Sequence, residues 1–492
     1  MKEVIVAVPS QSAKALTWEQ PRRNIRYPPI LLSVFTFVLG LIYLAVIPSW
    51  AGPDEPRHYE YVRLLNDKNR LVSWSDVDAG VMREIIRSMD DVNYWKWGVS
   101  LWRRSTPGEL PTDFGQIYRT AHQLHQPPLA YLLYLVPFKL VAQSSVAAQL
   151  YAMRLLSILL NVVVVLAAYV TGRELFRDDP SMALALPVFV MLLPQHLFLH
   201  SIVMNDHLAE AALAWMFALI VRTFRLGLAL PRALGSMLCL AIGLAAKRTA
   251  LYGVPILVFA FLVYIWIHWG RGRLTSTQRS SRLALTLIGA SLTLVVFSYV
   301  WQWISANDPQ LQDYIVRLFL FLPTEQFPFQ LDARVIQPAA FALYASYLKN
   351  MFITTWGHFG WVNITLGVQV YWGFAALAVV SLVGLGLFAV RDFQKLHSWQ
   401  RATLVVFAVS GVIAVITVIA LQIRLWDVEW PGGPHGRYLF PVLIPLATPF
   451  LLGLRAFFPR TQYGLWFGLF SGGMLVYNLV ALIFFIIPFY RA

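Results

Sequence analysis

The chain has 492 residues, 58% of them hydrophobic, 14% aromatic and only 13% charged. Soluble domains carry about 25% charged residues, so the composition excludes a soluble enzyme and indicates an integral membrane protein. The net charge of +14 is no sign of nucleic-acid binding: the basic residues gather where apolar runs end and loops meet an anionic leaflet, and no basic stripe with interleaved aromatics stands apart.

Residues 1–28 are mixed and polar, with Lys14, Arg22, Arg23 and Arg26. They read as a cytoplasmic segment without the pattern of a cleavable signal peptide. Apolar runs then predict spanning helices at about 30–49, 148–171, 181–199, 207–222, 233–247, 250–268, 283–304, 366–390, 402–422, 437–455 and 463–488, each suited to roughly 30 Å of hydrocarbon. Barrel strands would alternate polar and apolar residues, so the fold class is all-α and polytopic. The single cysteine, Cys239, lies in an apolar run and leaves neither a disulfide nor a thiolate metal site.

A further run, 127–141, is shorter and punctuated by proline, and reads as re-entrant or interfacial. With it left out of the crossings, the loops assigned inside (1–28, 172–180, 222–232, 269–282, 391–401 and 455–462) hold 19 Lys and Arg against 6 acids, and the rest of the chain holds 20 against 19. The positive-inside rule then puts the N-terminus in the cytoplasm. Two long connectors, 50–126 and about 305–350, fall outside. The first contains "HYEYVRLL" and "VMREIIRSM", which have helical spacing with one apolar side, and Trp74, Trp95, Trp97 and Trp102. Both features suit helices at the membrane interface.

The predicted outer loops collect polar groups at helix ends. Asp54 and Glu55 stand between Pro53 and Pro56, followed by His58; His122, His125 and Gln126 precede the 127–141 run; His196 and His200 lead to Asn205, Asp206 and His207. Lys247 and Arg248 interrupt a long apolar stretch, Trp356 and His358 sit in "TTWGHFGW", and His435, Arg437 and Tyr438 in "PHGRYLFP". Each group has an ordinary explanation. Acids favour a helix first turn, Asn205 or Asp206 suits an N-cap, and Lys247 and Arg248 could snorkel. Yet a carboxylate beside a membrane helix end is costly unless it faces water, pairs or binds, and all these groups share one predicted face.

A first helix that exits into an acidic pair, a large first external loop with interfacial helices and a proline-led apolar segment together resemble the GT-C superfamily of integral membrane glycosyltransferases. That superfamily includes protein O-mannosyltransferases, lipid A aminoarabinose transferases and oligosaccharyltransferases. "PDEPRHYEYV", "HQPPLAYLL", "LPQHLFLHSIVMNDHLAEA", "FGWVNI" and "GRYLFPVLIPLA" resemble more closely a group of uncharacterised bacterial membrane proteins placed beside those transferases. The likeness runs from about residue 30 to 450.

The resemblance implies a GT-C-like bundle of about eleven transmembrane helices plus the re-entrant or interfacial segment. The chain would divide into a cytoplasmic segment (1–28), a transmembrane catalytic module (29–455) and a C-terminal transmembrane helix with a short tail (456–492). The implied reaction moves a sugar, with inversion, from a polyprenyl-phosphate donor to an acceptor hydroxyl of a lipid, glycan or protein. It would run on the external face of a bacterial inner membrane, in contact with membrane lipids and without nucleic acid. Asp54 matches the family's first acidic position, a base or metal ligand, with Glu55 adjacent; Asp206 matches the second, supporting one.

Lys247, Arg248 and Arg437 match the basic residues that hold the donor phosphate. His58, His125, Gln126, Asn205, His358 and Tyr438 are candidate substrate contacts. No cofactor is certain: an adjacent Asp-Glu pair instead of Asp-x-Asp leaves a divalent metal open, its ligands being Asp54, Glu55 and Asp206. A transporter or flippase of lipid-linked glycans is the alternative. It would concentrate ionisable residues within the helices and use broken, paired helices.

Overall fold

The computed structural model describes residues 27–102, 109–118, 122–124, 126–269, 338–424 and 433–491. The predicted span 283–304 and most of the second long connector lie outside them. Among the described residues the fold is all-α apart from one small hairpin, and eight helices are long and apolar enough to cross a membrane.

Helix α1 (Tyr27–Val46) is about 30 Å long at 1.5 Å per residue. It leaves Ile30, Val34, Phe35 and Val38 exposed, an apolar face that only lipid would cover at no cost. A tight turn leads to α2 (Glu55–Lys68), which is followed by α3 (Ala79–Asp91) and α4 (Leu129–Leu140). Twelve residues of α4 reach only about 18 Å, short of a crossing. Helix α5 (Val146–Leu175) is the central post, packing against α1, α4, α6 (Pro180–Leu192) and α8 (Asp206–Leu226).

The expected span 181–199 is broken. Pro194 has no N–H to continue the ladder, so α6 ends, Leu193 is extended, and a short helix α7 (Pro194–Leu199) begins. The Leu192 carbonyl at the break accepts from Asn478 Nδ2 at 3.0 Å. Helices α9 (Leu230–Ala246), α10 (Gly253–Trp269) and α11 (Pro338–Trp356) follow. Helix α11 occupies the last part of the second connector, which the sequence reads as loop as far as residue 350. Its alanine-rich face and lack of internal proline or glycine make it a good helix.

After α11 comes a hairpin of β1 (His358–Phe359) and β2 (Ile364–Thr365), pairing His358 with Thr365. Helices α12 (Val368–Arg391), α13 (Ser398–Arg424), α14 (Leu443–Arg455) and α15 (Tyr463–Val480) complete the bundle. A 3-10 stretch, Gly436–Val442, feeds α14, and a π-helical stretch, Ala481–Ile486, follows α15.

The first long connector has a core of its own. Tyr59, Tyr61, Leu64, Ile85, Met89 and Tyr94 are completely or almost completely buried and belong to a hydrophobic cluster separate from that of the bundle. The apolar sides of α2 and α3 therefore face protein. Their helical spacing is as read from the sequence, but α2 is buried along most of its length.

Candidate active site at one end of the bundle

The turn between α1 and α2 is strained. Trp50 and Asp54 both have positive φ, 68° and 65°, a region that costs a bulky residue such as tryptophan most. Trp50 is held there by its buried ring: Nε1 donates to Ser88 Oγ at 3.2 Å, and its carbonyl accepts from Trp361 Nε1 at 2.9 Å. The result aims two neighbouring carboxylates in opposite senses.

Glu55 points inward and is fully buried. Arg154 of α5 meets it with a fork, Nε to Oε1 at 2.8 Å and Nη2 to Oε2 at 2.6 Å, and the Val203 N–H adds a third bond at 3.0 Å. Arg154 also donates to the Ile47 and Pro48 carbonyls at the end of α1. Every polar atom of this bolt is used, and Glu55 has no face left for a substrate. Of the two adjacent acids read as catalytic, the geometry keeps Asp54 accessible and makes Glu55 structural.

Asp54 is one-fifth exposed. One oxygen accepts from Arg57, and the other from Arg437 Nη2 at 3.3 Å. Arg437 and Lys247 both approach the Tyr438 ring, at 5.3 and 5.5 Å from its centroid. Lys247 is also paired with Asp206 at the start of α8, and the Asp206 charge reaches Arg437. The site is thus a line: Asp54, Arg437, the Tyr438 ring, Lys247, Asp206. Two cations stand between two carboxylates. Arg437 Nε and Nη1 and Asp206 Oδ1 are buried without hydrogen-bond partners, a costly condition unless something polar enters.

The surrounding groups are placed around this line. His58 Nδ1 bonds the Tyr131 hydroxyl at 2.8 Å, and Asn205 Nδ2 donates to Gln126 Oε1 at 3.4 Å and to the Ala246 carbonyl at 3.3 Å. Arg248 opens the 3-10 turn Arg248–Tyr252, and Tyr252 hydroxyl donates to the Tyr438 carbonyl at 3.0 Å. His358 lies on β1, its N–H bonded to Gln195 Oε1 at 2.7 Å. His125 lies outside the described residues. Burial, then the nearby Arg437 and His358, push His435 down to about 3, so it is neutral at physiological pH. Burial lowers Arg57 to about 10, which still leaves it charged beside Asp54.

Asp54, Glu55 and Asp206 do not form one acidic cluster, because each is neutralised by its own cation. The group with metal-ligand spacing among the described residues is different: His196, His200 and Glu210. The sequence reading collected both histidines and passed over Glu210, as it did Arg57 and Arg154. Two signals were there: His196 and His200 are four apart, and Glu210 follows Asp206 by four, so each pair shares a helix face.

Residues 37–446 match the model of a family described as "Predicted membrane protein (DUF2142)". The chain belongs to this family. No curated protein matches it. Among solved structures, it is similar to the oligosaccharyltransferase AglB from Archaeoglobus fulgidus, in complex with an inhibitory peptide and a dolichol-phosphate. That match has 15% identity and a TM-score of 0.46 and covers 94% of this chain and 55% of the other. It is also similar to ArnT from Cupriavidus metallidurans in the apo state, at 13% identity and a TM-score of 0.44, covering 89% of this chain and 61% of that one. The chain thus spans little more than half the length of these proteins.

Proposed function

We propose that this DUF2142 protein is a membrane glycosyltransferase that moves a sugar from a polyprenyl-phosphate donor to an acceptor hydroxyl, with inversion, on the external face of a bacterial inner membrane. The observation that carries the reading is Arg437, whose Nε and Nη1 are buried without hydrogen-bond partners and whose guanidinium lies beside a carboxylate and shares a tyrosine ring with Lys247. An anion of phosphate size satisfies such donors with charge-assisted bonds. The charge bias of the loops supports the external face.

In this reading the acceptor hydroxyl attacks the anomeric carbon opposite the phosphate. The bond from that carbon to the phosphate oxygen breaks, a new one to the acceptor oxygen forms, and the acceptor proton passes to Asp54. Arg437 and Lys247 take up the negative charge of the departing polyprenyl phosphate, the role of preorganised electrostatics. Binding the donor draws Arg437 from Asp54, which frees one carboxylate oxygen for the proton. Asp206 holds Lys247 in place.

The test uses full-length protein in proteoliposomes with radiolabelled polyprenyl-phosphate sugars and a lipid extract as acceptor source. Wild type should move label from donor to product, and Asp54→Asn should lower the rate by at least a hundredfold while still binding undecaprenyl phosphate. Lys247→Gln with Arg437→Gln should abolish that binding. Unchanged transfer by Asp54→Asn, or donor that changes leaflet without losing its sugar, would overturn the assignment, the latter in favour of a flippase.

A further inference from the structure

A second polar cluster lies deeper, one helical turn below Asp206, and the transfer reaction makes no use of it. His196 and His200 on and just after α7 and Glu210 on α8 are at most 2% exposed. His196 Nε2 is 2.6 Å from Glu210 Oε1, and His200 Nε2 is 3.1 Å from Oε2. Three ligand atoms, one from each residue, lie within 4.8 Å of one another. Tetrahedral ligands on a cation at about 2.05 Å stand about 3.4 Å apart, inside that spread.

The far ring nitrogens bear on how a metal would be held. His200 Nδ1 lies 3.2 Å from the Ser157 carbonyl, which can only accept, so that nitrogen carries a hydrogen. The other ring nitrogen, Nε2, faces a carboxylate oxygen of Glu210. His196 differs: Pro194 leaves the Val190 carbonyl unclaimed by the α6 ladder, yet His196 Nδ1 is buried without a hydrogen-bond partner, while Nε2 faces Glu210. His200, held from behind by a carbonyl while the facing nitrogens of both imidazoles converge on one carboxylate, has the outer-shell pattern of a metal-binding histidine.

We propose that His196, His200 and Glu210 bind a divalent cation, zinc before magnesium or calcium because two of three ligands are imidazoles. The site ties the break between α6 and α7 to the first turns of α8. It thereby positions Asp206, which lies four residues before Glu210, and His207, whose ring stacks on His200 at 4.3 Å. The three residues are ligands and positioning groups, remote from the reacting sugar. The site is independent of the sugar-transfer reading, since a protein that transfers nothing can still hold the metal.

Full-length protein purified in detergent, stripped with EDTA and dialysed against zinc should retain one zinc per chain by elemental analysis. His200→Ala and Glu210→Gln should each lose at least nine-tenths of it, whereas His122→Ala, which alters a histidine paired with Glu60 instead, should keep it. Because a variant could lose metal by unfolding, stripped wild type is also titrated with cobalt(II). Intense ligand-field bands that zinc abolishes support the site. Wild type without stoichiometric zinc, variants that retain it, or cobalt spectra of the hexaaqua ion alone would each overturn the proposal in favour of a metal-free imidazole and carboxylate cluster.

Discussion

At the scale of single residues, the adjacent pair Asp54 and Glu55 teaches the most. The sequence made them equivalent, two acids between two prolines, and only the left-handed backbone at Asp54 separates them. Glu55→Gln leaves the Arg154 guanidinium buried with one partner fewer, and breaking a buried pair in this way costs about 3–5 kcal/mol. The expected result is a lowered melting temperature in detergent; an unchanged one would show that the bolt carries no weight. Asp76 and Asp78 provide the pH counterpart. Arg70 holds Asp76 below its usual range, and the Gly80 and Val81 N–H groups do so for Asp78. A depressed carboxyl stabilises the fold above its unfolded pKa of about 3.9 and loses that contribution as pH falls through the lower folded value. Thermal stability should therefore fall below about pH 4, and fall less in an Asp76→Asn, Asp78→Asn double variant, when both are followed by melting scans across pH.

Between elements, close backbone approach replaces the hydrophobic drive that lipid removes. Helices α12 and α14 meet at Gly384 and Gly453: a Cβ on Gly384 would stand 2.0 Å from the Gly453 carbonyl, and one on Gly453 would stand 2.0 Å from that of Ser381. Gly453→Leu must push the helices apart, at a cost of about 1–3 kcal/mol for an overpacked contact. The measurement is again thermal stability, with Gly473→Leu, whose Cβ meets nothing within 4 Å, as the neutral control. Apolar period and length made the long helices legible in the sequence, and α1, α5, α12 and α13 stand close to their expected places. What was hidden follows from contacts between distant segments. The break at Pro194 looks like one continuous apolar run until the Asn478 side chain is seen to donate to the Leu192 carbonyl left at the helix end.

At the scale of the whole molecule, the described residues form two cores, one in the bundle and one that includes the first long connector. Composition announced the first and concealed the second, because α2 and α3 are polar on average and bury the tyrosines of α2 and the aliphatic and methionine side chains of α3 against each other and against α4 and α5. The candidate site was legible in outline, as cations and carboxylates gathered at helix ends. Its pairing was not: which acid meets which base depends on Lys247 after α9 reaching Asp206 across 41 residues and on Arg437 of the 3-10 stretch before α14 reaching Asp54 across 383. The small core is also sealed from an unexpected quarter. Trp97 carries the Tyr490 ring against it at 5.3 Å, and its carbonyl accepts from Asn363 Nδ2 at 2.8 Å. A ribosome adding about 5–20 residues per second needs roughly 20–80 s to travel from Trp97 to Tyr490. The connector must therefore stay unfinished until Tyr490 has been made, and a chaperone or protease that reaches it meets it during that interval.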